Sequence, residues 1–95
     1  MRMLLKATMD TEKSNRLLQE GRMQEVLGQL MERLQPEAVY FYPEQGRRNM
    51  FVVFDMQDPS ELPSITDPIF IEGGAEIYVT PVMNQDDLQK GLQQR

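Results

Sequence analysis

The stretch RNMFVVFDM, residues 48–56, decides the fold. In an extended conformation, successive side chains point to opposite faces. Met50, Val52 and Phe54 would then lie on one face, and Phe51 and Val53 on the other. Because Val and Phe favour extended structure, we predict a strand with two apolar faces. The alternative is a helical segment, since a short apolar run fits both structures.

Other segments follow a regular order around this strand. The predicted strands are residues 2–9, 38–42, 48–56 and 75–82, and the predicted helices are residues 12–34 and the segments after the capping residues Asp58 and Asn84. This is the βαββαβ order of the ferredoxin-like fold, with an additional C-terminal helix. We therefore predict an α+β protein with a single domain over residues 1–95. Its antiparallel four-stranded sheet would carry both main helices on one face.

Glycine and proline residues set the predicted helix boundaries. Gly21 is expected to divide the helical segment 12–34 into two pieces. Pro36 is expected to end it, because the residue before a proline avoids the α region. Pro63 and Pro68 are expected to limit the helix after Asp58 to short or kinked turns.

The apolar residues on the second face of the predicted sheet indicate a partner subunit. Helices can cover only one face, and 95 residues leave no further element for the other. A contiguous apolar patch on a small protein usually marks an interface. Ile77 and Val79 are expected to face the helices. The predicted homodimer interface contains Leu4, Phe51, Val53 and Thr80.

Polar and aromatic residues on the same face are candidate ligand-binding residues. Alternation places Lys6, Tyr40, Tyr42, Tyr78 and Glu76 there. Tyrosines and a lysine on a half-buried surface could line a ligand pocket, with Lys6 and Glu76 paired across neighbouring strands. The alternative is a wet interface, where tyrosine is also favoured and a lysine extends its ammonium towards water.

The composition excludes many chemistries. The chain contains no cysteine and no histidine, so thiol catalysis, Ser-His-Asp catalysis and thiolate or imidazole metal sites are absent. We predict no metal and no cofactor. The basic residues number 10 against 15 acidic residues and are scattered, which argues against nucleic-acid binding. No segment has the length of a signal peptide core or a membrane helix, so the default location is the cytoplasm.

Short motifs elsewhere have simpler explanations. Gly46, Arg47 and Arg48 could hold an anion, but they also fit a solvated hairpin tip. Asp55 is positioned to fix the turn that follows its strand. Asp86 and Asp87 fit the capping of the last helix.

The chain resembles a small family of bacterial proteins in the dimeric α/β-barrel superfamily. The resemblance rests on PEAVYFYPEQGRRNMFVVFDMQDPSELPSITDPIF, residues 36–70, and TPVMNQDDL, residues 80–88. The superfamily also contains muconolactone isomerase and the antibiotic-biosynthesis monooxygenases. The resemblance implies a homodimer of two sheets packed face to face as a barrel. It supplies no catalytic residue, and the histidine used by haem-dependent relatives is absent here.

Two functions are therefore considered, and the sequence leaves open whether the protein is an enzyme. The first is a homodimer that binds or transforms a small aromatic or apolar molecule in the barrel interior, without metal or haem. The second is a non-catalytic interaction or scaffolding module whose open sheet face serves only dimerisation.

Overall fold

The computed structural model describes residues 1–95 and contains one sheet of four antiparallel strands. The strands are β1 Arg2–Thr8, β2 Ala38–Glu44, β3 Arg47–Asp55 and β4 Glu76–Pro81. The helices are α1 Thr11–Gln19, α2 Met23–Leu34, α3 Leu62–Gly73 and α4 Gln85–Gln94, and a 3-10 turn at Pro59–Glu61 precedes α3.

The strand order across the sheet is β2-β3-β1-β4. Each neighbouring pair is antiparallel, and Leu5 of β1 lies between Val52 of β3 and Val79 of β4. Together with the element order, this arrangement is the ferredoxin-like fold that the sequence predicts. The chain is thus an α+β protein with an additional helix at its C-terminus.

The two faces of the central strands differ in burial as the alternation in β3 predicts. Leu5 and Val52 are fully buried, and Phe54 is 1% exposed, because these side chains pack beneath the helices. Phe51 and Val53 point to the opposite face and are only partly buried. The strand prediction for residues 48–56 is therefore confirmed, and the helical alternative is wrong.

Local capping and turn signals also have the predicted effects. Gly21 has a φ of 70° and separates α1 from α2. The Asp58 carboxylate accepts a hydrogen bond from the Ser60 N–H, while the Glu61 side chain accepts from the backbone of Asp58. Asn84 and Asp87 form the same reciprocal capping box before α4. Each of these helix boundaries is set by residues close together in the sequence, and the tertiary packing of the protein is compatible with it.

Of the two expectations based on proline, the short turns after Asp58 are wrong and the end of α2 before Pro36 is confirmed. Helix α3 runs through Pro68 for a full 12 residues instead of ending as short turns. Packing explains this, because Ile65 and Ile69 of α3 are almost completely buried in the core. Helix α2 ends at Leu34, as predicted, and Gln35 before Pro36 leaves the right-handed α region for a left-handed conformation (φ 45°, ψ 59°).

Helix α4 has no buried residue. Its apolar side chains Leu88 and Leu92, one turn apart, are 45% and 51% exposed. A side-chain contact from the first turn of α4 to the sheet is the ion pair between Asp87 and Arg2, at 3.3 Å. A helix of this length is marginal in water by itself, since most helical stability comes from packing of an apolar face.

Candidate functional site

We call the sheet face that the helices leave uncovered the open face. The strand registers place all nine sequence-predicted site and interface residues on it. Leu4 lies between Val53 and Thr80, and Lys6 lies between Phe51 and Tyr78. The others are Tyr40, Tyr42 and Glu76.

Three aromatic rings meet on the β2–β3 side of the open face. Tyr40 is opposite Phe51 in the register, and their ring centroids are 5.2 Å apart. The Tyr42 ring approaches the same Phe51 ring edge-on, with the centroids 6.0 Å apart. Such offset and edge-on geometries are the favourable ones for aromatic pairs. The cluster packs the edge strand β2 against the central strand β3 on the open face, although Tyr40 itself remains 59% exposed.

The carboxylate partner of Lys6 is Glu44, and the expected pair of Lys6 with Glu76 is wrong. Lys6 Nζ lies 3.1 Å from Glu44 Oε1, on the far edge strand β2. Glu44 is the main cause of a raised pKa of Lys6, first through the hydrogen bond and then through the opposite charge. Lys6 is therefore a cation at neutral pH, which argues against its use as a free amine nucleophile.

The remaining predicted residues are more loosely held. Glu76 is opposite Thr8, and its carboxylate lies 3.9 Å from Arg47 Nη1. Tyr78 is 62% exposed. The Thr80 hydroxyl donates a hydrogen bond to the carbonyl of Pro81. The structure thus groups Lys6, Tyr40 and Tyr42 with Phe51 and Glu44, and it places Glu76 and Tyr78 nearer the other edge.

Charged residues surround one end of the open face. Arg2 Nε lies 2.7 Å from Glu37 Oε1, in addition to the contact of Arg2 with Asp87. The N-terminal ammonium lies 2.6 Å from Asp55 Oδ1 and lowers the pKa of Asp55 by hydrogen bonding. The side chain of Gln57, in the turn that follows β3, also donates a hydrogen bond to Asp55. Asp55 therefore contacts this turn through a side chain and shares its carboxylate with the N-terminal ammonium.

The structure contains a cleft that the sequence does not predict, on the helix-covered face. We call it the helix-side cleft; its volume is about 700 Å³, and it lies between α1, α2 and the β2–β3 hairpin. Its apolar lining includes Leu18, Leu27 and Phe41. Phe41 lies on the helix-facing side of β2 but is 56% exposed, because the helices do not cover this edge strand. Two sequence signals lie beside the cleft. One is Arg48, considered above as part of an anion site, and the other is Leu18, which lies off the apolar stripe of the helical segment, formed by Met23, Val26, Leu27, Leu30, Met31 and Leu34.

The hairpin tip beside this cleft has an uncommon backbone. Gln45 and Gly46 both have positive φ, 54° and 74°. This is the pattern of a two-residue turn whose twist matches the flanking strands. Gly46 adopts it freely, whereas Gln45 has a Cβ and is strained there.

The structure offers no grouping of three or more Asp or Glu residues that could hold a metal ion. None of its helices is both long and apolar enough to cross a membrane.

Comparison with known proteins identifies the fold and nothing finer. Neither a family model nor a curated protein matches the chain. The uncharacterised protein TM1266 from Thermotoga maritima is 17% identical, with a TM-score of 0.56, over 86% of this chain and 95% of that chain. The de novo designed protein Ferredog-Diesel is 14% identical, with a TM-score of 0.51, over 85% of each chain. CutA1 from Pyrococcus horikoshii is 13% identical over 98% of this chain and 96% of that chain, with a TM-score of 0.42.

Proposed function

We propose that the protein functions as a homodimer in which the open faces of two copies pack together and enclose a site for a small aromatic or apolar molecule. This is the assembly that the resemblance to the dimeric α/β-barrel superfamily implies. The observation that carries the proposal is the apolar centre of the open face. There, Leu4, Phe51 and Val53 lie side by side on the two central strands without a covering element.

The charges of the open face favour a second copy as the covering element. Three cations point to this face, and so do three anions, although the whole chain has a net charge of -5. The cations are Arg2, Lys6 and Arg47, and the anions are Glu44, Asp55 and Glu76. A locally neutral face can pack against its own copy without net repulsion, as a two-fold symmetric interface requires.

The exposed tyrosines support the ligand site. Tyr40 and Tyr78 each present a ring and a hydroxyl at the open face, and both are more than half exposed. Between two such faces they would supply apolar walls with a few polar groups, which is the usual composition of a small-molecule site. The groups available for acid–base chemistry there are phenols and the Lys6–Glu44 pair.

A non-catalytic scaffolding role is the second candidate. The packing of Phe51 against both Tyr40 and Tyr42 favours it, because these rings already cover the β2–β3 side of the face. The ion pair of Lys6 with Glu44 also balances the charge of that lysine and occupies one of its three N–H donors. In this case the two sheets would meet without a cavity.

Light scattering during size exclusion tests the assembly. The wild-type protein is expected to have about twice the mass of one 11.1 kDa chain at micromolar concentration. Phe51→Glu and Val53→Glu are each expected to produce monomers, because each would bury an unpaired charge in the interface. Ile71→Glu is the matched control, since Ile71 lies on α3 and is 70% exposed. A monomeric wild-type protein, or a monomeric Ile71→Glu variant, would contradict the proposed interface.

A thermal-shift screen of aromatic and apolar compounds tests the ligand site. A compound that binds between the sheets is expected to raise the Tm of the wild-type protein and to lose this effect in Tyr40→Ala and Tyr78→Ala variants that remain dimeric. A structure in which the side chains fill the space between the sheets would favour the scaffolding role.

A further inference from the structure

We infer that the helix-side cleft is a second, separate binding site, which accepts an amphipathic molecule with an apolar body and one carboxylate. The cleft is on the opposite side of the sheet from the open face, so this inference goes beyond the proposed function. It rests on the charges of the lining, the geometry of Arg48 and the exposed apolar walls.

The charges of the cleft differ from those of the whole chain. Its 14 lining residues include Arg48 and no aspartate or glutamate, and Arg47 borders the cleft although its side chain points to the open face. The chain as a whole contains more acidic than basic residues, 15 against 10. A smaller cleft between α2 and α3, of about 480 Å³, is different, because three carboxylates in its lining outnumber the two arginines, Arg22 and Arg33, and Glu72 pairs with Arg22 at 3.0 Å. The helix-side cleft is therefore the one with positive charge available for a ligand.

Arg48 is oriented but not neutralised. Its Nη1 donates to Ser14 Oγ and to Asn15 Oδ1, both at 2.8 Å. Both acceptors are uncharged, and Ser14 is fully buried on α1, which fixes the guanidinium plane. Because a guanidinium has five N–H donors, the edge formed by Nε and Nη2 remains available. This edge matches the two oxygens of a carboxylate, which it can bind through parallel hydrogen bonds.

The walls of the cleft suit an apolar body. Leu18 of α1 and Phe41 of β2 are 50% and 56% exposed, and Met23 and Leu27 of α2 complete the apolar lining. Covering these side chains would remove apolar surface from water, which stabilises a complex. The cleft thus combines apolar walls with one oriented cation, the usual recognition pattern for a small amphipathic anion.

Binding of octanoate and of its neutral analogue octanamide tests the inference. Amide resonances of the full-length protein are followed by NMR during titration with each compound. We expect octanoate to bind about tenfold more tightly than octanamide, because hydrogen bonds to charged groups are the stronger ones. The shifted resonances should be those of Leu18, Leu27 and Phe41. Equal affinities, no octanoate binding at millimolar concentration, or shifts confined to the open face would overturn the inference.

Three variants separate the contribution of Arg48 from that of the apolar wall of the cleft. Arg48→Gln is expected to reduce octanoate affinity to that of octanamide and to leave octanamide binding unchanged. Leu18→Glu is expected to abolish octanoate binding, because it places a carboxylate at an exposed position beside Arg48; it keeps the test decisive if Arg48→Gln does not fold. Ile71→Glu, which adds the same charge outside the cleft, should bind as the wild type does. Unchanged octanoate affinity in Arg48→Gln or Leu18→Glu would overturn the inference.

The monomeric Phe51→Glu variant separates the two sites. Octanoate should bind this variant as well as the wild type, because the cleft lies within one protomer. Loss of dimerisation in Leu18→Glu would instead show that a second copy occupies the cleft, and would overturn the inference without touching the test of the open face.

Discussion

At the scale of single residues, the ion pair of Lys6 and Glu44 makes a prediction about pH. Both side chains remain more than two-fifths exposed, so the pair should contribute little, and Glu44→Gln should change the Tm by no more than about 2 °C. The raised pKa of Lys6 means that this contribution is complete at neutral pH. It is lost as the pH rises from the ordinary lysine pKa through the raised value.

The measurement is the Tm as a function of pH for four proteins. These are the wild type, Lys6→Met, Glu44→Gln and the double variant. The difference between the wild type and Glu44→Gln should vanish in strongly alkaline solution. Glu76→Gln is the matched control and should act independently of Lys6. If the effects of changing Lys6 and Glu76 on the Tm were non-additive, and those of Lys6 and Glu44 additive, the ion pair of Lys6 with Glu44 would be contradicted.

The identity of the partner of Lys6 was beyond what the sequence predicts. The alternation correctly places Lys6 and Glu76 on one face, whereas Glu44 lies beyond the predicted strand 38–42, and only the structure extends β2 to include it. The choice between the carboxylates depends on the strand order, which puts Phe51 of β3 between Lys6 and β2. The long lysine side chain extends across that strand to Glu44. Periodicity within one strand contains no information about such diagonal contacts.

At the scale of elements, α3 is the helix in which local chemistry and tertiary packing disagree. Pro68 has no N–H to donate to the turn before it, and an interior proline costs a helix about 3 kcal/mol relative to alanine. We expect Pro68→Ala to raise the free energy of unfolding by about 1–3 kcal/mol. Urea unfolding followed by circular dichroism measures this. Pro63→Ala is the matched control and should be neutral or slightly destabilising, since Pro63 is in the first turn. Equal effects of the two changes would contradict this explanation.

The same contrast explains which elements the sequence predicts well. The break at Gly21 and the helix starts at Asp58 and Asn84 depend on near neighbours, and all three are confirmed. The length of α3 depends on the burial of Ile65 and Ile69, which a rule about proline does not include. The helix-side cleft depends on how far the helices extend over β2. No pattern in the sequence specifies that distance.

At the scale of the whole molecule, dimerisation should make thermal stability depend on protein concentration. In the proposed dimer each folded copy binds a second folded copy, so mass action would stabilise the folded state as concentration rises. We expect the Tm to increase by a few degrees for each tenfold increase between about 1 and 100 μM. Phe51→Glu should show no such increase. A wild-type Tm that is constant over this range would contradict dimerisation through the open face.

The place of β1 in the sheet also affects how the chain folds during synthesis. β1 precedes β2, β3 and β4 in the chain and therefore leaves the ribosome before them, yet it lies between β3 and β4, and Met3 pairs with Pro81 of β4. A nascent chain that lacks β4 can form the β2-β3-β1 part only, with the unpaired backbone groups of β1 at an apolar edge. Such an edge is a template for pairing with other chains. The late docking of β4 is therefore expected to be the slow step of folding and the one at which nascent chains would most need a chaperone.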